Sequence, residues 1–368
     1  MAVGFPAKTN FATGEVLTAT NMNDITGTLN LLQETLYPAG RNKIINGAFA
    51  VNQRNFTTDS VGGYNFDRWF MALSGATATA TAQTFTLGTA PVAGYEAKNF
   101  LRVATSVGND FCRINQPIES VRTFANQTVI LSFWAKGTNP ATAGNLRTRL
   151  EQQFGSGGSP SASVATAEQT FVLTSNWTRY SFTFVVPSIA GKTIGTNNDD
   201  RLNVDIGQLS NASTDPWTID IWGVQLEAAT TGSTASSFQT ASGSIGGELA
   251  LCQRYYFREN FDAQTLYAIF ATGSAASTTV ANLVQPFPVN MRAKPSTLDF
   301  PTVATSFTVV DAAGNAQAPS ALTLDANQAT SSQGYFTATV ASGLTQFRPY
   351  VLRGNNTTGA YLGWSADL

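Results

Sequence analysis

Five segments of this chain alternate apolar and polar residues with a period of two, which is the spacing of side chains along a β-strand. They are residues 129–137, 146–154, 178–186, 201–209 and 217–226. Shorter apolar runs, separated by turn residues, follow between positions 266 and 354. Because short strands at this spacing are typical of sandwiches and barrels, the pattern predicts a mainly β protein with two β-sandwiches, the second smaller than the first.

The first forty residues carry a different pattern. Apolar residues there are spaced three, four, three and four positions apart, namely Met22, Ile25, Leu29, Leu32 and Leu36. This spacing predicts a short N-terminal helix with a seam of heptad a and d positions. The seam fits self-association of several copies. It also fits an ordinary amphipathic helix packed on a domain, since two heptads are fewer than a coiled coil usually needs.

Composition excludes several classes of partner. The chain has 368 residues, enough for about two domains, and charged residues make up only 12% with a net charge of −2. It therefore offers no basic surface for nucleic acid. No stretch approaches the ~18 apolar residues of a membrane helix, and the first residues lack the parts of a secretory signal. We expect neither membrane insertion nor secretion by a signal peptide, and we expect Cys112 and Cys252 to be buried free thiols.

The complete lack of histidine restricts the chemistry of any active site. It removes the Ser-His-Asp and Cys-His arrangements and all imidazole metal ligands. Paired carboxylates remain, and a glycosidase needs two of them about 5 to 9 Å apart across a cleft. Since nothing in the sequence repeats as a solenoid that would form a long groove, we predict that the protein is not an enzyme.

Seven short motifs are spread along the chain. They are RNKIINGAFAVNQR (41–54), GYNFDRW (63–69), NWTRYSFTFVVP (176–187), WGVQLEA (222–228), GGELALCQRYYFR (246–258), FPVNMRAKP (287–295) and GWSADL (363–368). Through these motifs, in this order, the sequence resembles bacteriophage tail-fibre and appendage proteins. The resemblance implies a virion protein assembled in the bacterial cytoplasm, a homotrimer, and an N-terminal segment that attaches to other virion proteins.

The strand patterns and the resemblance together divide the chain into four parts. These are an attachment and oligomerisation segment at 1–40, a jelly-roll β-sandwich similar to carbohydrate-binding modules at 41–230, a linker at 231–247, and a C-terminal β-sandwich at 248–368. The motif at 246–258 is expected to form the seam between the two sandwiches. Asp67 and Arg68 are expected to form a structural pair beside a core tryptophan, Trp69.

Strand alternation also predicts which side chains point away from the core. Because Leu131 and Phe133 must face inward, Trp134 turns outward. The same argument turns Arg179, Asp205, Asp220 and Trp222 outward, and also Arg201 and Asn203. The first four and Trp134 are candidate glycan-binding residues, since an indole stacks on a sugar ring while guanidinium and carboxylate groups bond its hydroxyls. The alternative is that these faces pack against neighbouring subunits, where Trp and Arg are also enriched.

A calcium site is a further hypothesis. Jelly rolls of carbohydrate-binding modules often hold this ion, and the resemblance implies a site between the backbone near Asn46 and the carboxylate of Asp220. One carboxylate with carbonyls provides few of the six to eight oxygens that calcium takes. No other cofactor is expected.

The expected function is that of a non-enzymatic tail fibre or similar virion appendage, located in the virion, that mediates attachment to host-surface glycans. One alternative is a purely structural decoration, baseplate or head-fibre protein that contacts only other virion subunits. A third is a capsule-depolymerising tailspike. The outward-facing residues favour the first, and the lack of a recognisable catalytic constellation disfavours the third.

Overall fold

The computed structural model describes residue 18 and residues 40–107, 111–140, 146–209, 215–229, 232–260 and 266–368. The predicted helix and its seam at Met22, Ile25, Leu29, Leu32 and Leu36 lie outside these residues. Within the described ranges the chain is mainly β, as predicted. No helix in them has both the length and the apolarity to cross a membrane.

The first sandwich is a jelly roll of two antiparallel sheets. Its strands are β1 (Thr58–Asp59), β2 (Gly63–Tyr64), β3 (Phe70–Ser74), β4 (Thr77–Thr84), β5 (Asn99–Val107), β6 (Phe111–Glu119), β7 (Thr128–Thr138), β8 (Arg147–Gln153), β9 (Val164–Ala165), β10 (Gln169–Thr170), β11 (Thr178–Val185), β12 (Arg201–Gln208) and β13 (Trp217–Ala228). The first sheet has the strand order β1-β4-β5-β13-β7-β11. The second sheet has the order β10-β8-β12-β6-β3-β2, with β9 paired to β8.

The core of this sandwich lies between the two sheets and follows the predicted alternation. Leu131 and Phe133 of the first sheet and Val204 and Ile206 of the second are fully buried in one cluster. Burying a side chain of this size stabilises the fold by roughly 1.5–3 kcal/mol. The inward residues of all five predicted segments therefore hold the two sheets together.

A short helix joins the sandwiches. Helix α1 (Ile245–Gln253) begins after Ser244, whose hydroxyl accepts a hydrogen bond from the backbone N–H of Gly247 at 3.1 Å. This is an N-cap, which satisfies one of the backbone donors left free at a helix start. Ahead of the helix, residues 232–244 cross the first sheet in an ordered path in which Phe238 and Ala241 are buried.

The second sandwich also has two antiparallel sheets. Its elements are β14 (Tyr256–Asn260), β15 (Ile269–Ala275), β16 (Val280–Pro286), β17 (Thr297–Asp299), α2 (Val303–Ser306), β18 (Phe307–Val310), β19 (Ala316–Gln317), β20 (Pro319–Leu324), β21 (Gln333–Val340), β22 (Pro349–Gly354) and β23 (Tyr361–Ser365). The sheet orders are β14-β23-β17 and β19-β18-β22-β15-β16-β21-β20. Trp364, Phe336 and Phe307 are fully buried between them.

The motif at 246–258 lies at the contact between the sandwiches. Its Glu248 is only 1% exposed, and its carboxylate accepts hydrogen bonds of 2.7 Å from the backbone N–H groups of Asn46 and Ser242. Asn46 belongs to the motif at 41–54, so the motifs at 41–54 and 246–258 meet here. A buried carboxylate with two charge-assisted hydrogen bonds fixes the start of the first sandwich against helix α1.

The chain's last residues complete this seam. The carboxylate of Asp367 contacts Arg54 at 2.6 Å and Arg68 at 3.3 Å. Each guanidinium also stacks on a tyrosine of the 246–258 motif, Arg54 on Tyr256 at 3.5 Å and Arg68 on Tyr255 at 3.4 Å from the ring centroid. These contacts form the arginine clasp, which ties the second sandwich to the first.

The prediction that Asp67 and Arg68 pair with each other is wrong, because each has a different partner. Arg68 reaches Asp367, while Asp67 accepts hydrogen bonds from the backbone and side-chain nitrogens of Gln53 at 2.6 and 2.7 Å. Arg68 has φ of 72°, and this left-handed backbone directs neighbouring side chains to different partners. Trp69 is fully buried, as predicted, and its indole N–H donates to the carbonyl of Asn46 at 3.0 Å.

Both cysteines are fully buried free thiols. Burial raises the pKa of Cys112 to about 12 and also raises that of Cys252. Since the thiolate is the reactive form, we expect Ellman's reagent at pH 8 to titrate neither thiol in the folded protein and both after unfolding in urea. Fast reaction of either thiol before unfolding would contradict this burial.

Candidate functional site

Four of the five predicted binding residues do lie together on one face of the first sheet. In the strand register, Trp134 of β7 stands opposite Trp222 of β13 and opposite Arg179 of β11. Asp220 stands two residues before Trp222 on the same face, opposite Lys136. The alternation therefore predicted correctly which side of the sheet these residues occupy.

The prediction that Trp222 is exposed on that face is wrong. It is 0% exposed, and its ring packs against Phe238 at 4.8 Å, Tyr95 at 5.4 Å and Phe85 at 6.2 Å between ring centroids. Phe238 comes from the crossing segment, and Tyr95 and Phe85 come from the connection between β4 and β5. Both segments fold over the sheet, so this indole cannot stack on a ligand.

Arg179 is held by the same crossing segment. Its guanidinium donates to the carbonyl of Ser236 and, at 3.1 Å, to the hydroxyl of Ser132. Burial lowers the pKa of Arg179. Glu227 fixes Ser236 further by accepting from its backbone N–H at 2.9 Å. Trp134 is half-buried beside these contacts. The outer face of the first sheet is thus an intrachain packing surface.

Asp220 is committed to an ion pair. Both its carboxylate oxygens accept from the guanidinium of Arg102, at 2.6 and 2.8 Å, in a bidentate arrangement. The proposed partner region is also occupied, because Asn46 donates its backbone N–H to Glu248 and its carbonyl accepts from Trp69. Asp220 is therefore not the predicted calcium ligand. No group of three or more acidic or cysteine side chains suited to a metal occurs among the residues that the structure describes.

Asp205 lies on the outer face of the second sheet, as the alternation predicts, but it is 0% exposed. Arg149 of β8 lies 3.1 Å from its carboxylate and Arg113 of β6 lies 3.5 Å from it. Burial raises the pKa of Asp205, while the two guanidinium groups oppose that change. The prediction that Asp205 binds a ligand is therefore wrong. It is a central counter-ion, because arginine side chains of the flanking strands cover it.

Beside this ion pair, two cavities adjoin at Arg201, the first residue of β12. The first, of about 130 Å³, is lined by Tyr64, Phe70, Asn115, Pro117, Arg201, Asn203 and Leu368. The second, of about 320 Å³, is lined by Gln153, Phe154, Gly155, Ser156, Ser161, Ala162, Ser163, Asp199 and Arg201. Together we call them the Arg201 groove, which is our candidate functional site.

Strand pairing positions the aromatic end of the groove. Phe70 on β3 stands opposite Asn115 on β6, and Asn115 stands opposite Asp205 on β12. Tyr64 packs edge-on against Phe70 at 5.2 Å between ring centroids. Burial raises the pKa of Tyr64 to about 12, and its hydroxyl donates to a backbone oxygen of Leu368 at 3.0 Å. This end of the groove is therefore an aromatic edge beside a side-chain amide.

Two loops form the other end. Asp199 accepts from the backbone N–H of Ser156 at 2.8 Å and from its hydroxyl at 2.6 Å. Burial would raise the pKa of Asp199, but these hydrogen bonds and the nearby charge of Arg201 hold it below its ordinary value. Gly155 has φ of +81°, and a Cβ there would lie 2.6 Å from the Asp199 carboxylate. Glycine at this position allows the two loops to close on each other.

Sequence reasoning placed Arg201 and Asn203 on the outer face but did not choose them as site residues. It missed Tyr64, Phe70 and Asn115, although a signal was present for the last. Cys112 and Ile114 alternate with Arg113 and Asn115, and this period-two pattern predicts strand β6 with Asn115 outward. The two-residue strand β2 and the loop pairing at Asp199 leave no such periodicity.

No protein-family model matches the sequence, and no curated protein matches it. Among solved structures, the enzymatically active domain of tailspike protein 4 of bacteriophage CBA120 is similar with a TM-score of 0.32 and 16% identity, over 51% of this chain and 22% of that chain. A CBM4 structure is similar with a TM-score of 0.30 and 20% identity, over 50% of this chain and 98% of that chain. The N-terminal cellulose-binding domain of Cellulomonas fimi β-1,4-glucanase C gives a TM-score of 0.27 and 16% identity, over 41% of this chain and 89% of that one. The chain thus spans less than a quarter of the tailspike domain, and at these TM-scores the likenesses carry no argument about a ligand.

Proposed function

We propose that this protein is a non-enzymatic appendage of a bacteriophage virion, homotrimeric and attached by its N-terminal segment, that binds host-surface glycans through the Arg201 groove. The observation that carries the proposal is the combination, in one open groove, of an aromatic edge with side-chain amides and a guanidinium. The motif resemblance to phage appendage proteins supports the virion context.

The amides of the groove are available to a ligand. The side chains of Asn115 and Asn203 make no hydrogen bond with any residue that the structure describes, although Asn203 is only 6% exposed. An amide presents both donors and an acceptor, which matches the hydroxyl pairs of a pyranose. Phe70 lies beside them and offers an apolar ring for the apolar face of the sugar.

The positions of the acidic side chains around the groove support binding of a glycan over its hydrolysis. Among the described side chains that line the groove, Asp199 is the one carboxylate, and Ser156 occupies both its oxygens. Glycoside hydrolysis uses a pair of carboxyl groups on opposite sides of the bond. The other acids of this sheet face, such as Asp205 and Glu168, are paired with arginines.

Binding by one such groove is expected to be weak, and display in several copies compensates for it. A shallow sugar site with a Kd of about 1 mM corresponds to roughly −4 kcal/mol. Several copies held on one rigid oligomer add a factor of about 10² to 10⁴ when they engage together. The proposed homotrimer would therefore convert a weak groove into stable attachment.

The test is binding of the full-length chain to an array of bacterial capsular and lipopolysaccharide glycans. Replacing Phe70 with alanine should weaken binding at least tenfold, because the sugar loses its apolar contact. The matched control is Phe347→Ala, since Phe347 is 81% exposed in the second sandwich and outside the groove. Equal effects of the two substitutions would move the site elsewhere. Absence of glycan binding by the wild-type chain would leave the purely structural virion role, and sustained release of reducing ends would support a depolymerase.

A further inference from the structure

Arg201 differs from the other arginines on the outer face of the second sheet. Arg113, Arg147 and Arg149 each lie within ion-pair distance of a carboxylate, at 3.5, 2.7 and 3.1 Å respectively. The guanidinium of Arg201 has no hydrogen bond or ion pair with any of the residues described. It is half-buried, and it lines both cavities of the groove.

The acids nearest to Arg201 in the chain or in the strand register have other partners. Glu119, opposite Arg201 on β6, accepts from Arg254 at 2.9 Å and from the hydroxyl of Tyr255 at 3.1 Å. Asp200 accepts from the backbone N–H of Val121 at 2.9 Å.

Asp199 directs its carboxylate to Ser156. The charge of Asp199 acts on Arg201 only from beyond ion-pair distance, so the N–H donors of the Arg201 guanidinium remain available to an anionic group of a ligand in the groove.

We propose that the Arg201 groove selects glycans that carry a carboxylate, such as uronic or ulosonic acid residues, and that Arg201 binds this carboxylate in a bidentate manner. The planar fork of arginine matches the two oxygens of a carboxylate, which lysine cannot reproduce. In this arrangement the sugar ring lies between Phe70 and the amides of Asn115 and Asn203. This inference rests on the proposed glycan-binding function and narrows it to acidic polysaccharides.

The test uses every array polysaccharide that binds the wild-type chain, in its native form and after chemical reduction of its carboxylates to hydroxymethyl groups. Reduction should weaken wild-type binding at least tenfold. Arg201→Gln should bind the native form about as weakly as wild type binds the reduced form, while its own binding should be insensitive to reduction. Arg201→Lys should retain only part of the preference for the native over the reduced polysaccharide. Arg122→Gln, at an exposed arginine outside the groove, is the matched control and should behave as wild type.

The outcomes separate this inference from the function on which it rests. Wild-type binding only to neutral polysaccharides, or binding that survives carboxyl reduction, would overturn carboxylate recognition but leave glycan binding intact. If the wild-type chain keeps binding to a polymer that bears phosphate groups, phosphate is instead the anion that the groove recognises. A tenfold loss on reduction that Arg201→Gln does not reproduce would place the carboxylate elsewhere. If no polysaccharide binds, both proposals fail.

Discussion

Replacing Asp367 with alanine is expected to destabilise the protein by about 3–5 kcal/mol, because the arginine clasp then loses its shared carboxylate. The side chains of Asp367, Arg54 and Arg68 are 7%, 14% and 1% exposed, so the substitution leaves two largely buried guanidinium groups without the carboxylate that they share. Urea unfolding followed by tryptophan fluorescence measures the change. Asp367→Asn should be less damaging, since the amide oxygen still accepts a hydrogen bond.

The control for this prediction is an exposed acid. Glu96→Ala removes a carboxylate from the surface connection between β4 and β5 and should change stability by no more than about 0.5 kcal/mol. A loss below about 1 kcal/mol for Asp367→Ala would mean that stacking on Tyr255 and Tyr256 holds the two arginines without the carboxylate.

Replacing Trp222 with alanine is expected to cost about 3–5 kcal/mol of stability, because it leaves a cavity among Phe85, Tyr95 and Phe238. The same measurement of urea unfolding applies. The loss should come without any specific effect on glycan binding by the fraction that remains folded, since the indole is 0% exposed.

Trp134→Ala is the matched comparison, because Trp134 lies opposite Trp222 in the strand register but is only half-buried. Trp134→Ala should reduce the stability of the protein clearly less than Trp222→Ala does. If Trp222→Ala leaves stability unchanged and abolishes glycan binding, then the first sheet, and not the Arg201 groove, carries the ligand site.

Local alternation was enough to predict the strands and the face on which each side chain lies. Strands β7, β8, β11, β12 and β13 begin and end within two residues of the predicted segments. Alternation fixes orientation relative to the nearest sheet, but it contains no information on what covers the opposite face. For Trp222 the cover comes from Phe85 and Tyr95, more than a hundred residues earlier, and from Phe238 in a low-complexity segment.

The ion-pair partners of the acidic residues could not be predicted from the sequence for the same reason. Asp205 and Asp220 each look like free surface carboxylates within their own strands. Their counter-ions Arg149 and Arg102 come from neighbouring strands, and only the sheet order makes them adjacent. The candidate site depends on the same long-range pairing. Arg201 and Asn203 were predicted to face outward, but it becomes visible only in the structure that Arg201 forms no direct ion pair with any described acid.

The seam between the sandwiches has a consequence for how such a chain can diversify. Its contacts come from the motifs at 41–54, 63–69, 246–258 and 363–368. Phe70, Asn115, Arg201 and Asn203 lie outside every one of these motifs. Tyr64 and Leu368 of the groove do belong to these motifs, but substitutions at the other four positions leave the contacts of the seam in place. The lining of the groove can therefore change while the joint between the sandwiches is kept.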